Sequence, residues 1–243
     1  MPIKLIDVVR YFRDLPHQKL AIATLEAALD PRLLEDEALW VQQYRNQVPP
    51  LEHKWAAPLI AAVPNDRVPN GKTRRENAGV AIPLLLATCE ELGVINPTHI
   101  AYIMGTVNHE SYFAPINELG NIARFTQLYE GRSDLGNSER GDGARFKGRG
   151  YVQITGRRNY RLFSRLLNID LVGKPELALV PETAARICVL GMKDGLFTGA
   201  KLSHYDKPHN GFDWINARRI VNGLDRANLI ASYAQHYFRA IAS

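Results

Sequence analysis

The chain has 243 residues, of which 46% are hydrophobic and 23% are charged. This composition is typical of a folded, water-soluble domain and excludes a disordered or fibrous protein. No apolar stretch approaches the length of a membrane span, and charged residues interrupt the apolar N-terminus, which therefore lacks the pattern of a secretory signal. We expect synthesis in the cytoplasm, with any release to the outside by a separate route.

The net charge of +5 and the pI near 9.2 favour contact with polyanions without choosing among them. The excess is concentrated from Gly143 to Arg165, which holds seven Lys or Arg residues and no acid. A solvated basic face explains this segment at least as well as a binding patch. The two cysteines, Cys89 and Cys188, lack the paired spacing of metal ligands, so we predict no metal site and two buried free thiols, with a single bridge as the alternative.

Residues 1–74 are predicted to be a helical N-terminal region that ends in a linker rich in proline, and residues 75–243 a second domain. Helical periodicity covers residues 78–93, 159–167, 182–196 and 213–242, the last with a break at Asn222–Gly223. Asn96 and Pro97 are a suitable N-cap and first residue of a further helix. Residues 117–149 are predicted to be a long, shaped loop, and residues 150–155 one short strand or an extended loop. The fold class is therefore mostly α.

Glu110 is the first candidate for chemistry. At 100° per residue, it shares an arc of about 120° with apolar residues of the helix that starts at Pro97. A carboxyl group on an apolar face loses hydration, which favours the neutral form that a general acid needs. A Glu at a helix end that pairs with a nearby Arg is the alternative interpretation.

Hydrolysis of a glycosidic bond needs a second carboxylate, about 5 Å from the acid as a nucleophile or about 6.5 to 9.5 Å away as a base. Glu118 and Glu130 are the candidates in the loop that follows, and their spacing alone does not separate them. The next segment, GDGARFKGRGYVQITGRRNY, combines glycines with amide and hydroxyl side chains that suit a neutral sugar. It lacks the spacing of a phosphate-binding loop.

Four motifs in order carry a family resemblance: NHESYF at 108–113, YEGRSDLGN at 129–137, the glycine-rich segment at 141–160, and NARRIVNGLDRA at 216–227. Together they resemble glycoside hydrolase family 19, which includes chitinases and phage or bacterial endolysins, over roughly residues 78–242. The resemblance implies a lysozyme-like, two-lobed helical domain with a central cleft. It also implies hydrolysis of β-1,4 linkages at N-acetylglucosamine or N-acetylmuramic acid with inversion of configuration, without a cofactor.

By position, the resemblance makes Glu110 the general acid, Glu118 or Glu130 the general base, with Glu118 favoured, and Thr155 a holder of the attacking water. The residues that it assigns to the substrate or the cleft, or that we add from their position in the motifs, are His109, Tyr151, Gln153, Asn159, Arg218 and Asn222. Tyr112, Phe113 and Tyr160 are further aromatic residues that could stack on sugar rings, although core packing is the more usual role for such residues.

The expected partner is a polysaccharide, and the small number of cysteines and the high pI favour peptidoglycan over chitin. We expect a monomer that binds no nucleic acid and has no integral membrane segment. Any release to the cell wall or exterior would use a separate export route. Two other functions stay open: a catalytically silent glycan-binding or wall-binding module on the same fold, and, more weakly, a nucleic-acid binder that uses the basic segment.

Overall fold

The computed structural model describes residues 53–209 and 211–242. These residues belong to a compact unit that starts at His53, so the helices predicted within residues 1–52 lie outside the described part. The α-helices are α1 (Ala56–Ala62), α2 (Arg74–Glu91), α3 (Pro97–Ser111), α4 (Ile122–Tyr129), α5 (Asp142–Arg145), α6 (Arg157–Leu167), α7 (Pro181–Asp194) and α8 (Ala227–Ile241). The prediction of a mostly helical fold is confirmed.

Short 3-10 helices and strands connect the α-helices. The 3-10 helices are Ser133–Leu135, Pro175–Leu179, Leu202–Tyr205 and Asn216–Ile220. The strands are β1 (Ile116–Asn117), β2 (Arg149–Gly150), β3 (Asp206–Lys207) and β4 (Gly211–Phe212). β1 pairs with β2, and β3 with β4, both antiparallel, in two separate two-stranded sheets.

The start of α3 follows from its sequence. The Asn96 side chain accepts a hydrogen bond from the backbone N–H of Thr98, and Pro97 occupies the first turn. Both features satisfy or remove N–H groups that a helix start leaves without partners. The predicted N-cap and first residue are therefore confirmed.

The helix pair α3 and α8 lies in the core. Ile103, Met104 and Val107 of α3 are fully buried, and a methyl group added at Gly105 would lie 2.7 Å from the backbone nitrogen of Ala234 in α8. The two backbones meet closely at this glycine because it has no side chain. This contact fixes the direction of the helix that carries Glu110.

Part of the segment predicted as a linker lies within the described residues. Residues 53–74 include α1, and its Leu59 is fully buried within the same hydrophobic core as α2 and α3. The compact unit thus starts at His53 and not near residue 74. Proline and glycine were read as linker signals here, whereas they flank a short helix and a turn.

The segment predicted as a long loop, residues 117–149, contains α4, a 3-10 helix and α5. For residues 150–155 the prediction left one short strand or an extended loop open, and neither describes the whole segment. Only Arg149–Gly150 forms a strand, and the chain then turns so that Arg149 and Ile154 exchange backbone hydrogen bonds of 3.3 and 3.0 Å. Gln153 adopts a positive φ of 54° to make this turn.

Both cysteines are buried free thiols, as predicted. Burial raises the pKa of the Cys89 thiol to about 12 and that of Cys188 further. Within the described ranges, no helix is both long enough and apolar enough to cross a membrane, and no cluster of three or more His, Cys, Asp or Glu side chains could hold a metal ion.

Candidate active site

Glu110 lies in the last turn of α3, one residue before the helix ends at Ser111. Its side chain is 19% exposed, so it is neither in the core nor free in solvent. The next two residues, Tyr112 and Phe113, both have left-handed backbone conformations, with φ of 52° and 61°. Two consecutive residues of this kind turn the chain sharply away directly after the candidate acid.

Arg218 is the partner of Glu110. Its Nη1 donates a hydrogen bond of 2.5 Å to Oε1 of the carboxylate, and its Nε donates to the carbonyl of Asp225 at 3.0 Å. The Arg218 side chain is only 4% exposed, and a partly desolvated guanidinium–carboxylate pair is a strong, directional contact. The sequence predicted an apolar setting for Glu110, and this expectation is corrected, because an arginine from the 3-10 helix Asn216–Ile220 pairs with it.

Glu118 follows β1 and is held against the segment before β2. Its Oε1 accepts from the Tyr129 hydroxyl at 2.8 Å and its Oε2 from the backbone N–H of Gly148 at 3.0 Å. Its own N–H donates to the Gly148 carbonyl at 2.8 Å. A methyl group at residue 148 would lie 3.1 Å from Glu118 Oε2, so glycine allows this close approach. Burial first, and then the bond to Glu118, raise the pKa of Tyr129 to about 12.

Glu130 has a different environment. Its two carboxylate oxygens accept from the backbone N–H groups of Gly141 at 2.5 Å and of Gly143 at 2.8 Å, at the start of α5. A carboxylate is stabilised at a helix N-terminus because the N–H groups there carry partial positive charge. Glu130 therefore ties the end of α4 to the start of α5.

The polar side chains after β2 brace the backbone. The amide nitrogen of Gln153 donates to the carbonyls of Ile116 and Gly150, both at 2.8 Å, which joins the turn to β1. The Thr155 hydroxyl donates to the Gln153 carbonyl at 3.0 Å, and the Asn159 amide to the Thr155 carbonyl at 2.9 Å. These donors are engaged inside the protein, which leaves the acceptor oxygens of the three side chains for a ligand.

Three aromatic residues among the candidates for sugar contact are in the core. Tyr151 is 1% exposed and Tyr160 fully buried, and Phe113 is 1% exposed, so none of these rings offers a face to a sugar. For Tyr151, which was predicted to bind substrate, this is a correction. Tyr112, in contrast, is half-buried.

His109 and Asn222 lie near the ion pair in different ways. His109 is half-buried next to Glu110, and burial lowers its pKa against the raising effect of the Glu110 charge. Asn222 is exposed, and its N–H donates to the Arg218 carbonyl at 3.1 Å. It also lines an open cavity of about 470 Å³ together with Tyr205 and Arg219. A backbone hydrogen bond thus links this cavity to the partner of Glu110.

Sequence reasoning missed four residues that contact the candidates or their immediate neighbours. Tyr129 bonds to Glu118, and Asp225 supplies the carbonyl that holds Arg218. Arg74 and Asn77 reach the end of α3 from the first turn of α2. Tyr129 opens the YEGRSDLGN motif, so its position was a usable signal. Arg74 and Asn77 precede the segment covered by the family resemblance, and their part follows only from the packing of α2 on α3.

No protein-family model matches the chain. Among solved structures, the chain is similar to the crystal structure of a mutant of chitinase C, with a TM-score of 0.49, 19% identity, and coverage of 75% of this chain and 91% of the other. It is also similar to a bacterial family 19 chitinase, with a TM-score of 0.47, 15% identity, and coverage of 75% and 93%.

Proposed function

We propose that the protein is an inverting glycoside hydrolase that cleaves β-1,4 linkages of polymers containing N-acetylglucosamine, and that peptidoglycan is preferred over chitin. The observation that carries the proposal is the pairing of Glu110 with the nearly buried Arg218. Glu110 lies in the last turn of α3, within the NHESYF motif, and its position in this motif corresponds to that of the general acid. The family resemblance of four motifs supports the substrate class.

In the proposed reaction, Glu110 gives a proton to the departing glycosidic oxygen while the bond from that oxygen to the anomeric carbon breaks. Because Arg218 contacts Oε1, Oε2 is the oxygen that is left to carry the proton. The guanidinium then stabilises the carboxylate that forms when the proton has gone.

We assign the general base to Glu118. It removes a proton from the water that attacks the anomeric carbon from the opposite face of the ring. Tyr129 and Gly148 each occupy one acceptor position on its two oxygens, and each oxygen keeps a second one for the water. Thr155 donates its own hydrogen to Gln153, so its hydroxyl oxygen is able to accept the other hydrogen of the water. Glu130 is assigned the structural role that its two backbone contacts indicate.

Three substitutions test the proposal on purified peptidoglycan and on chitin oligomers, with products identified by mass and the new anomer by NMR. Glu110→Gln and Glu118→Gln should each lower kcat by about 10² to 10⁴, the usual contribution of a positioned acid or base. Glu130→Gln is the matched control, and should lower stability but leave the kcat of the folded protein within a fewfold of wild type. Full activity of Glu110→Gln would refute the assignment. If the first product formed were the β-anomer, which keeps the configuration of the starting linkage, inversion would be refuted.

A glycan-binding module without turnover is the second candidate. The hydrogen bonds that both oxygens of Glu118 already accept inside the protein favour it, because a binding module needs no base to activate a water. If wild type bound either polymer without releasing new reducing ends, and Glu110→Gln bound with the same affinity, the result would support the module over the enzyme.

A further inference from the structure

The turn that follows Glu110 is held from α2. This helix starts firmly, because Thr73 and Glu76 form a capping box in which each side chain bonds to the other's backbone N–H. Arg74 and Asn77 lie in the same first turn and point toward the end of α3. The capping box therefore fixes the backbone of the helical turn that carries these two side chains.

Arg74 makes contacts on both sides of Glu110 in sequence. Its Nη1 donates to the side-chain oxygen of Asn108 at 3.0 Å, and its Nη2 to the carboxylate of Asp66 at 2.6 Å. Its guanidinium carbon lies 5.0 Å from the centre of the Tyr112 ring. Asn108 is fully buried, and the Arg74 side chain is only 11% exposed. One guanidinium thus spans the residues two before and two after the candidate acid.

The turn needs such support. A left-handed conformation is unfavourable for a residue with a side chain, and two such residues follow each other at Tyr112 and Phe113. Such residues persist where neighbouring groups hold them. The Asn77 amide donates to the Tyr112 carbonyl at 3.2 Å, and the Phe113 ring meets the Tyr237 ring edge-on at 6.1 Å.

We infer that Arg74 is a positioning residue for the general acid: it fixes the backbone of Glu110 from the α2 side, while Arg218 fixes the carboxylate. The inference rests on the proposed function and extends it to a residue outside the four motifs. A lysine at this position keeps the charge but loses the planar fork that contacts Asn108, Asp66 and the ring together.

The test compares Arg74→Lys with Arg75→Lys in the full chain. Arg75 is the next residue of α2, and its guanidinium donates to the carbonyls of Val63 at 2.9 Å and Ala61 at 3.2 Å, away from α3. Arg74→Lys should lower kcat about tenfold and change KM by less than about twofold, because a small displacement of a catalytic group slows the chemical step. Arg75→Lys should leave both constants unchanged. Equal kcat in Arg74→Lys and wild type would overturn the inference.

Amide hydrogen exchange gives a second readout that needs no activity. The Ala114 N–H bonds to the Ser111 carbonyl at 2.9 Å across the turn, and it should exchange severalfold faster in Arg74→Lys but not in Arg75→Lys. If wild type cleaves neither polymer, the proposed function fails, and unchanged exchange at Ala114 would then overturn the positioning role separately. Should Arg74→Lys not fold, Asn77→Ala, which removes the bond to the Tyr112 carbonyl, carries the same expectations.

Discussion

Substitution of Gly105 by alanine should destabilise the protein through the contact between α3 and α8. The added methyl carbon would lie 2.7 Å from the backbone nitrogen of Ala234 and 2.9 Å from its Cα. Because backbone atoms have no alternative rotamers, the helices must move apart, and overpacking of this kind costs about 3 kcal/mol at the upper end of the usual range. Alanine regains about 1 kcal/mol of helix propensity. The net loss is about 2 kcal/mol.

For a domain of this size, each kcal/mol corresponds to about 2–4 °C in Tm, so Gly105→Ala should melt about 4–8 °C lower. Urea and thermal unfolding followed by circular dichroism measure both quantities. Gly79→Ala is the matched control, because Gly79 lies in α2 with no atom within 4 Å of an added methyl group, and this variant should gain about 0.5–1 kcal/mol. A Gly105→Ala protein as stable as wild type would refute the packing argument.

Three further predictions concern charge and burial. Arg157→Ala should lower the free energy of unfolding by about 3 kcal/mol, because it leaves the Asp142 carboxylate, which is 1% exposed, without its charged partner. The bond to Arg157 lowers the pKa of Asp142 in the folded protein. The loss of stability should therefore be complete above the ordinary carboxyl pKa and shrink as pH falls through the folded-state pKa. Urea titrations from neutral to acidic pH would contradict this if the loss were independent of pH. Burial lowers the pKa of His109, so this side chain binds a proton less readily in the folded protein than in the unfolded chain. The stability of the fold should therefore decrease as pH drops below about 6.5. His109→Gln should flatten that pH dependence in the same titrations. The Cys89 thiol, with its pKa raised to about 12, should react with a thiol reagent only on unfolding, and rapid labelling of the native protein would contradict its burial.

Much of the helical framework could be predicted from local signals. Asn96 and Pro97 specify the start of α3 through groups within three residues of it, and the apolar stripe that follows faces the core as periodicity requires. Gly93, with a φ of 72°, follows the end of α2 because glycine adopts that conformation without strain. Capping and periodicity depend only on residues close together in the sequence, so they can be recognised without the fold.

The site could be predicted only in part. Helical periodicity and the NHESYF motif made Glu110 a candidate, and Glu118 became one by its place in the segment that follows. The partner of Glu110 is 108 residues away, and no local pattern predicts that pairing. Tyr151 lies in the glycine-rich motif, from which a sugar contact is predicted, whereas the fold places it in the core. Glu130 and Glu118 are equivalent by spacing, and the structure distinguishes them by their hydrogen-bond donors, which are two backbone N–H groups for Glu130 and the Tyr129 hydroxyl and the Gly148 N–H for Glu118.

The clamp between α2 and α3 bears on how a shortened form of the protein should be designed. A fragment that begins at residue 75, the boundary predicted from composition, would keep every family motif yet lack Arg74, whose guanidinium bonds to Asn108 and lies against the Tyr112 ring, and Asp66, which bonds to Arg74. It would also lose Leu59 from the hydrophobic interior. A minimal expression fragment should therefore begin at or before His53.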